Sequence, residues 1–122
     1  MNWSVTGAIF LALAVILGAF GAHGLRGRLD AYLMSVYEKA VFYHFIHALG
    51  MLVVSSLPKT GTVTKSAADG VCWLLAAGIL IFSGSLYVLA ITGVRALGAI
   101  TPVGGIAFIL AWLLLAWRLR RP

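Results

Sequence analysis

The chain reads as an all-α bundle of four membrane-spanning helices. Three observations carry that prediction: four apolar runs of spanning length, a composition of 62% hydrophobic and 10% charged residues, and cations that fall mainly between or after the runs. A helix crosses about 30 Å of hydrocarbon with roughly 20 residues. A soluble domain of 122 residues with so little charge could not cover its surface with polar groups, a requirement that a bilayer removes. The length suits a single integral membrane domain, residues 1–122, built on one bundle.

The first helix is expected over about 4–24. Its apolar run lacks the basic segment that opens a secretory signal, so it reads as a retained span. The second is expected over about 36–57, opened by Ser35-Val36-Tyr37-Glu38 as a capping box and stopped by Pro58. Between these two, Leu29, Tyr32 and Leu33 recur at helical spacing, which predicts a short amphipathic interfacial helix over about 28–34. A polar, mobile loop over 59–68 leads to a third helix over about 68–92. Thr101-Pro102 reads as an N-cap followed by proline at the first helical position, opening a fourth helix over about 101–118.

Four spans put both termini on one side. That side carries Lys59, Lys65, Arg118, Arg120 and Arg121, against Arg26, Arg28, Lys39 and Arg95 on the other. The excess of one cation and the Arg-rich tail place both termini in the cytoplasm of a bacterial inner membrane, although so small a bias also admits dual insertion as an antiparallel dimer. Trp3, Trp73 and Trp117 fall near the termini-side interface and Tyr32, Tyr37 and Tyr43 toward the other, as aromatic belts do. A net charge of +6 without a basic stripe points to lipid headgroups as partners and away from nucleic acid. Cys72 stands alone, which leaves no disulfide framework or cysteine-rich metal site.

Small residues supply the expected packing seams. Gly7, Ala14, Gly18, Gly21 and Ala22 line the first helix, Gly84 the third and Gly104 the fourth. In lipid, close backbone approach replaces the hydrophobic drive between helices. Seams of this kind also serve a homo-oligomer or a larger membrane complex.

The few polar residues in the apolar runs are the candidate site. An ionisable side chain at membrane depth is costly and marks function by default. Counting about 1.5 Å of rise per residue puts His23, His44 and Tyr87 in one layer in the half away from the termini. His47 lies one turn beyond His44, Ser83 one turn from Tyr87, and Glu38 and Thr101 border the layer. These residues can form a titratable relay or binding pocket, or be a structural knot satisfied within the bundle. A b-type haem or quinone site is a lesser alternative, with His23 or His44 opposite His47 beside the Gly18–Gly21 seam. No nucleophile–base–orienter set, phosphate-cradling loop or acidic metal pair is visible, so the chain is expected to be non-enzymatic, with no catalytic residues, metal or cofactor.

Four ordered motifs carry a family likeness: 18-GAFGAHGL-25, 43-YHFIHAL-49, 82-FSGSLY-87 and 101-TPVGG-105. Together they resemble the domain-of-unknown-function 423 family, small four-helix membrane proteins, over nearly the whole chain. The resemblance implies an integral membrane bundle and brings no established activity. The positions of His23, His47, Ser83, Tyr87 and Thr101 match its motifs. The position of His44 is often glutamine there, so the resemblance implies His23 and His47 as the shared pair. The function expected is a membrane binding, transport or accessory role centred on His23, His47 and Tyr87, with a purely structural or assembly subunit as the alternative.

Overall fold

The computed structural model describes residues 1–120, so Arg121 lies outside the described residues. Four helices among the described residues are long and apolar enough to cross a membrane. We label them α1 (Trp3–Leu25), α2 (Ala31–Ser56), α3 (Lys65–Thr92) and α4 (Thr101–Leu119). α1 packs along α2, α2 along α3, and α3 along α4. The inner pair is therefore the more buried, and the outer faces of α1 and α4 present Ile9, Leu13, Ile16, Val103, Ile106, Ile109 and Leu113. Two continuous apolar faces of this kind suit hydrocarbon and not water.

Side-chain caps set the helix starts. Asn2 Oδ1 accepts from the Val5 N–H at 3.2 Å to open α1, and Thr64 Oγ1 accepts from the Ala67 N–H at 3.1 Å to open α3. At α2 the cap is Asp30, whose Oδ1 accepts from the Leu33 N–H at 2.7 Å. The expected start at residue 36 is thereby corrected. Ser35 lies one turn inside the helix and donates to the Tyr32 carbonyl at 2.8 Å. The interfacial helix expected over 28–34 is likewise not a separate element. Nothing between Ala31 and Ala40 breaks a helix, so the amphipathic stretch is the first turn of α2. The 26 residues of α2 span about 39 Å, which carries its first turns past the hydrocarbon.

The loop expected over 59–68 is shorter. A 3₁₀ turn, Leu57–Thr60, holds Pro58 and ends at Gly61 with φ +73°, and α3 begins at Lys65. Thr101 is also corrected: it is the first helical residue of α4 and not its cap. Its hydroxyl is engaged with Ser85 Oγ at 2.6 Å instead. A 3₁₀ turn, Arg95–Ala99, leads in, and the Arg95 guanidinium lies 4.4 Å from the centre of the Tyr32 ring on α2.

Two apolar clusters fill the bundle. The one in the termini half includes Trp3, Met51, Val54, Val71, Cys72, Leu75, Phe108 and Ala111; the other includes Leu25, Val36, Tyr37, Ala40, Leu86 and Leu89. Trp3 is buried edge-on to Trp73 at the start of α1, and Tyr37 is 1% exposed, so both rings turn into the bundle instead of toward lipid.

Backbone approach is closest where small residues demand it. A Cβ on Gly104 would sit 2.3 Å from the Phe82 nitrogen, and one on Gly7 3.1 Å from that of Leu52. Ala14 is fully buried. The seam is narrower than expected at two positions: a Cβ on Gly84 would meet nothing within 4 Å, and Ala22 is exposed.

A polar row between the two cores

α2 carries the polar row. Tyr37, His44 and Met51 recur every seven residues and share a face, with Ala40 and His47 beside them. His44 is central. Its Nδ1 lies 2.8 Å from the Tyr87 hydroxyl of α3, and its ring stands edge-on to that of Phe10 of α1, with centroids 6.3 Å apart. In the Nε2–H tautomer, Nδ1 accepts from the Tyr87 hydroxyl. One side chain thus joins three helices.

Tyr37 adds a second tie. Its hydroxyl donates to the Leu17 carbonyl of α1, and its ring meets that of Tyr87 edge-on at 5.3 Å. Gly21 makes this possible, because a Cβ there would stand 2.4 Å from the Tyr37 ring. The last turn of α1, Gly21–Leu25, is a π turn. A second π turn, Ile79–Ser83, interrupts α3, and the Ser83 hydroxyl at its end donates to the Ala40 carbonyl at 2.8 Å. π turns insert a residue into an α-helix and so change which side chains face a neighbour.

His47 points elsewhere. Its Nδ1 lies 2.7 Å from the Tyr43 carbonyl, so this nitrogen carries the proton and donates within α2. Its ring stacks on Phe108 of α4 with centroids 3.5 Å apart. Each neighbouring helix pair therefore has its own polar link: Tyr37 to Leu17 and Ser4 to Ser55 for α1 and α2, His44 to Tyr87 and Ser83 to Ala40 for α2 and α3, and Ser85 to Thr101 for α3 and α4.

The expected layer is only partly assembled. His44, Tyr87 and Ser83 come together, with Thr101 one link away through Ser85. His23 does not join them. It is exposed on the π turn and, among the described residues, hydrogen-bonds to none of the row. His23 lies two residues past Gly21, about 200° around α1 from the inward seam of Gly7, Ala14 and Gly21, so it faces away from the row. Glu38 is also exposed and shares a groove with Arg26. Tyr37, assigned from the sequence to the interfacial belt, is the participant that reading missed; its seven-residue spacing from His44 was the available signal.

The donor set does not fit a b-type haem. His44 and His47 leave the same helix one turn apart, one bonded to Tyr87 and the other stacked on Phe108, while His23 is exposed on α1. Among the described residues, no histidine lines the groove between α1 and α2, the one beside Asn2 and Lys65, or the one beside Tyr32 and Thr101.

Known proteins match this chain closely. It is 50% identical to the UPF0382 membrane protein SERP0230 of Staphylococcus epidermidis over 91% of its own length and 88% of that protein's. It is 48% identical to the UPF0382 membrane protein YwdK of Bacillus subtilis over 91% and 89% of the two chains. No solved structure matches it. A family model described as a protein of unknown function, DUF423, matches residues 17–105, and the chain belongs to that family of membrane proteins.

Proposed function

We propose that the protein is a non-enzymatic accessory component of the bacterial inner membrane, with both termini cytoplasmic, and that its polar row is a clasp between helices. The single observation carrying this reading is the enclosure of His44: it is 4% exposed, its Nδ1 is bonded to Tyr87 and its ring is packed edge-on to Phe10. A relay or transport path needs a titratable group with a free position toward water, and His44 and His47 are only 4% and 6% exposed. Buried polar groups satisfied by neighbouring helices are the usual means of fixing a membrane bundle. The outward faces of α1 and α4 are then the working surfaces, toward lipid or a partner.

Reconstitution tests the proposal. Proteoliposomes loaded with a pH-sensitive dye, under an imposed potassium diffusion potential, are expected to leak protons no faster than protein-free vesicles. A protein-dependent flux abolished by His44→Leu in a folded variant would overturn the reading.

A further inference from the structure

The groove between α1 and α2 is lined only by those helices and the turn after α1, and its volume is about 380 Å³. Gly18 and Gly21 form one wall, where Gly18 presents no side chain to the groove. Phe45 and Ile46 form the other, both of them substantially exposed. Arg26 and Glu38 stand at its mouth. Ile46 lies about 12 Å farther along α2 than Glu38, so the groove runs from the headgroup boundary into the hydrocarbon.

Two features select an occupant. The first is lining: apart from its two charged residues the groove is walled by glycine, alanine, aliphatic and aromatic groups, which suit an acyl chain. The second is charge. Arg26 and Glu38 have opposite signs, and neither is in an ion pair; the salt bridge among the described residues is Lys65–Asp69. An unpaired guanidinium and an unpaired carboxylate at the mouth of an apolar groove match the two charges of a headgroup bearing a phosphate and a primary ammonium.

We infer that this groove binds a phosphatidylethanolamine-type glycerophospholipid, with an acyl chain along Gly18 and Gly21, the phosphate on Arg26 and the ammonium on Glu38. The inference goes beyond the accessory role proposed above and does not depend on the polar row being a clasp. Glu38 supplies the selectivity. A primary ammonium donates hydrogen bonds to its carboxylate, whereas a trimethylammonium has no N–H and a glycerol headgroup no charge to pair.

Native mass spectrometry of the full chain tests this, using equimolar phosphatidylethanolamine, phosphatidylcholine and phosphatidylglycerol with identical acyl chains. Retention of phosphatidylethanolamine is expected to exceed that of phosphatidylcholine by about tenfold, the scale of one charge-assisted hydrogen bond. Glu38→Gln should remove that preference, Arg26→Gln should lower retention of all three lipids, and Gly18→Leu should fill the groove and block them. Gly18→Leu is read only if its thermal melt matches the parent; otherwise Glu38→Gln, at an exposed position, decides alone. Equal retention of the ethanolamine and choline lipids, an unchanged preference in Glu38→Gln, or a lipid-free dimer would each overturn the inference.

Discussion

The Tyr87 hydroxyl meets His44 Nδ1 at 2.8 Å across the interface of α2 and α3, between the two apolar clusters of the bundle. This contact has a shape requirement that glutamine can meet, since a side-chain amide oxygen accepts from Tyr87 as Nδ1 does. His44→Gln should therefore lose less stability than His44→Leu, with the leucine variant down by about 1–2 kcal/mol, the upper range for interhelical hydrogen bonds in lipid. Unfolding in mixed micelles, followed by circular dichroism, checks the order. A leucine variant as stable as the glutamine one would contradict it.

Glycines of equal helical cost should behave in opposite ways. Gly104→Ala would drive a Cβ to 2.3 Å from the Phe82 backbone, and the expected loss is about 1–3 kcal/mol as α3 and α4 are forced apart. Gly84→Ala meets nothing within 4 Å and should be neutral or stabilising by about 0.5–1 kcal/mol through helix propensity. The same unfolding assay reads both.

The start of α2 is testable by its cap. Asp30→Ala removes the acceptor of the Leu33 N–H and should cost about 1 kcal/mol. Ser35→Ala, inside the helix, should change stability by less than about 0.5 kcal/mol. Equal losses would restore Ser35 as the cap.

Trp3 Nε1 is a buried N–H without a partner among the described residues. Trp3→Phe removes an unsatisfied donor while keeping an aromatic ring against Trp73, so the two effects offset and the net change should be under about 1 kcal/mol. Trp3→Ala, which removes the ring as well, should cost about 3–5 kcal/mol. Thermal melts of the two variants separate ring from donor.

Topology has a direct readout, because the native Cys72 is buried. With both termini cytoplasmic, a cysteine at Arg28 should react with an impermeant maleimide added outside spheroplasts, and one at Lys59 only after lysis. The reverse pattern, or equal labelling of both, would exclude the proposed orientation.

The spans were legible in the sequence because a run of about 20 apolar residues leaves few alternatives. Depth was legible too, since counting residues fixes position along an axis; this is why His44, Tyr87 and Ser83 were grouped correctly. Depth alone does not give direction around the axis: His23 stands about 200° around α1 from the seam of Gly7, Ala14 and Gly21, and so faces outward. Tyr37 was misplaced for a related reason. An aromatic residue near a membrane boundary resembles a belt residue, and only the space left by Gly21 shows that it turns inward. The start of α2 was misread because both Asp30 and Ser35 can cap. The choice fell to the outer one because nothing in Ala31–Ala40 interrupts the helix.

The central claim is that His44 and Tyr87 form a closed clasp, and a double-mutant cycle tests it most directly. Unfolding free energies of the parent, His44→Leu, Tyr87→Phe and the double variant should yield a favourable coupling of about 1–2 kcal/mol between the two side chains. Additive losses, with no coupling, would mean that the two groups do not hold the helices together and would contradict the account.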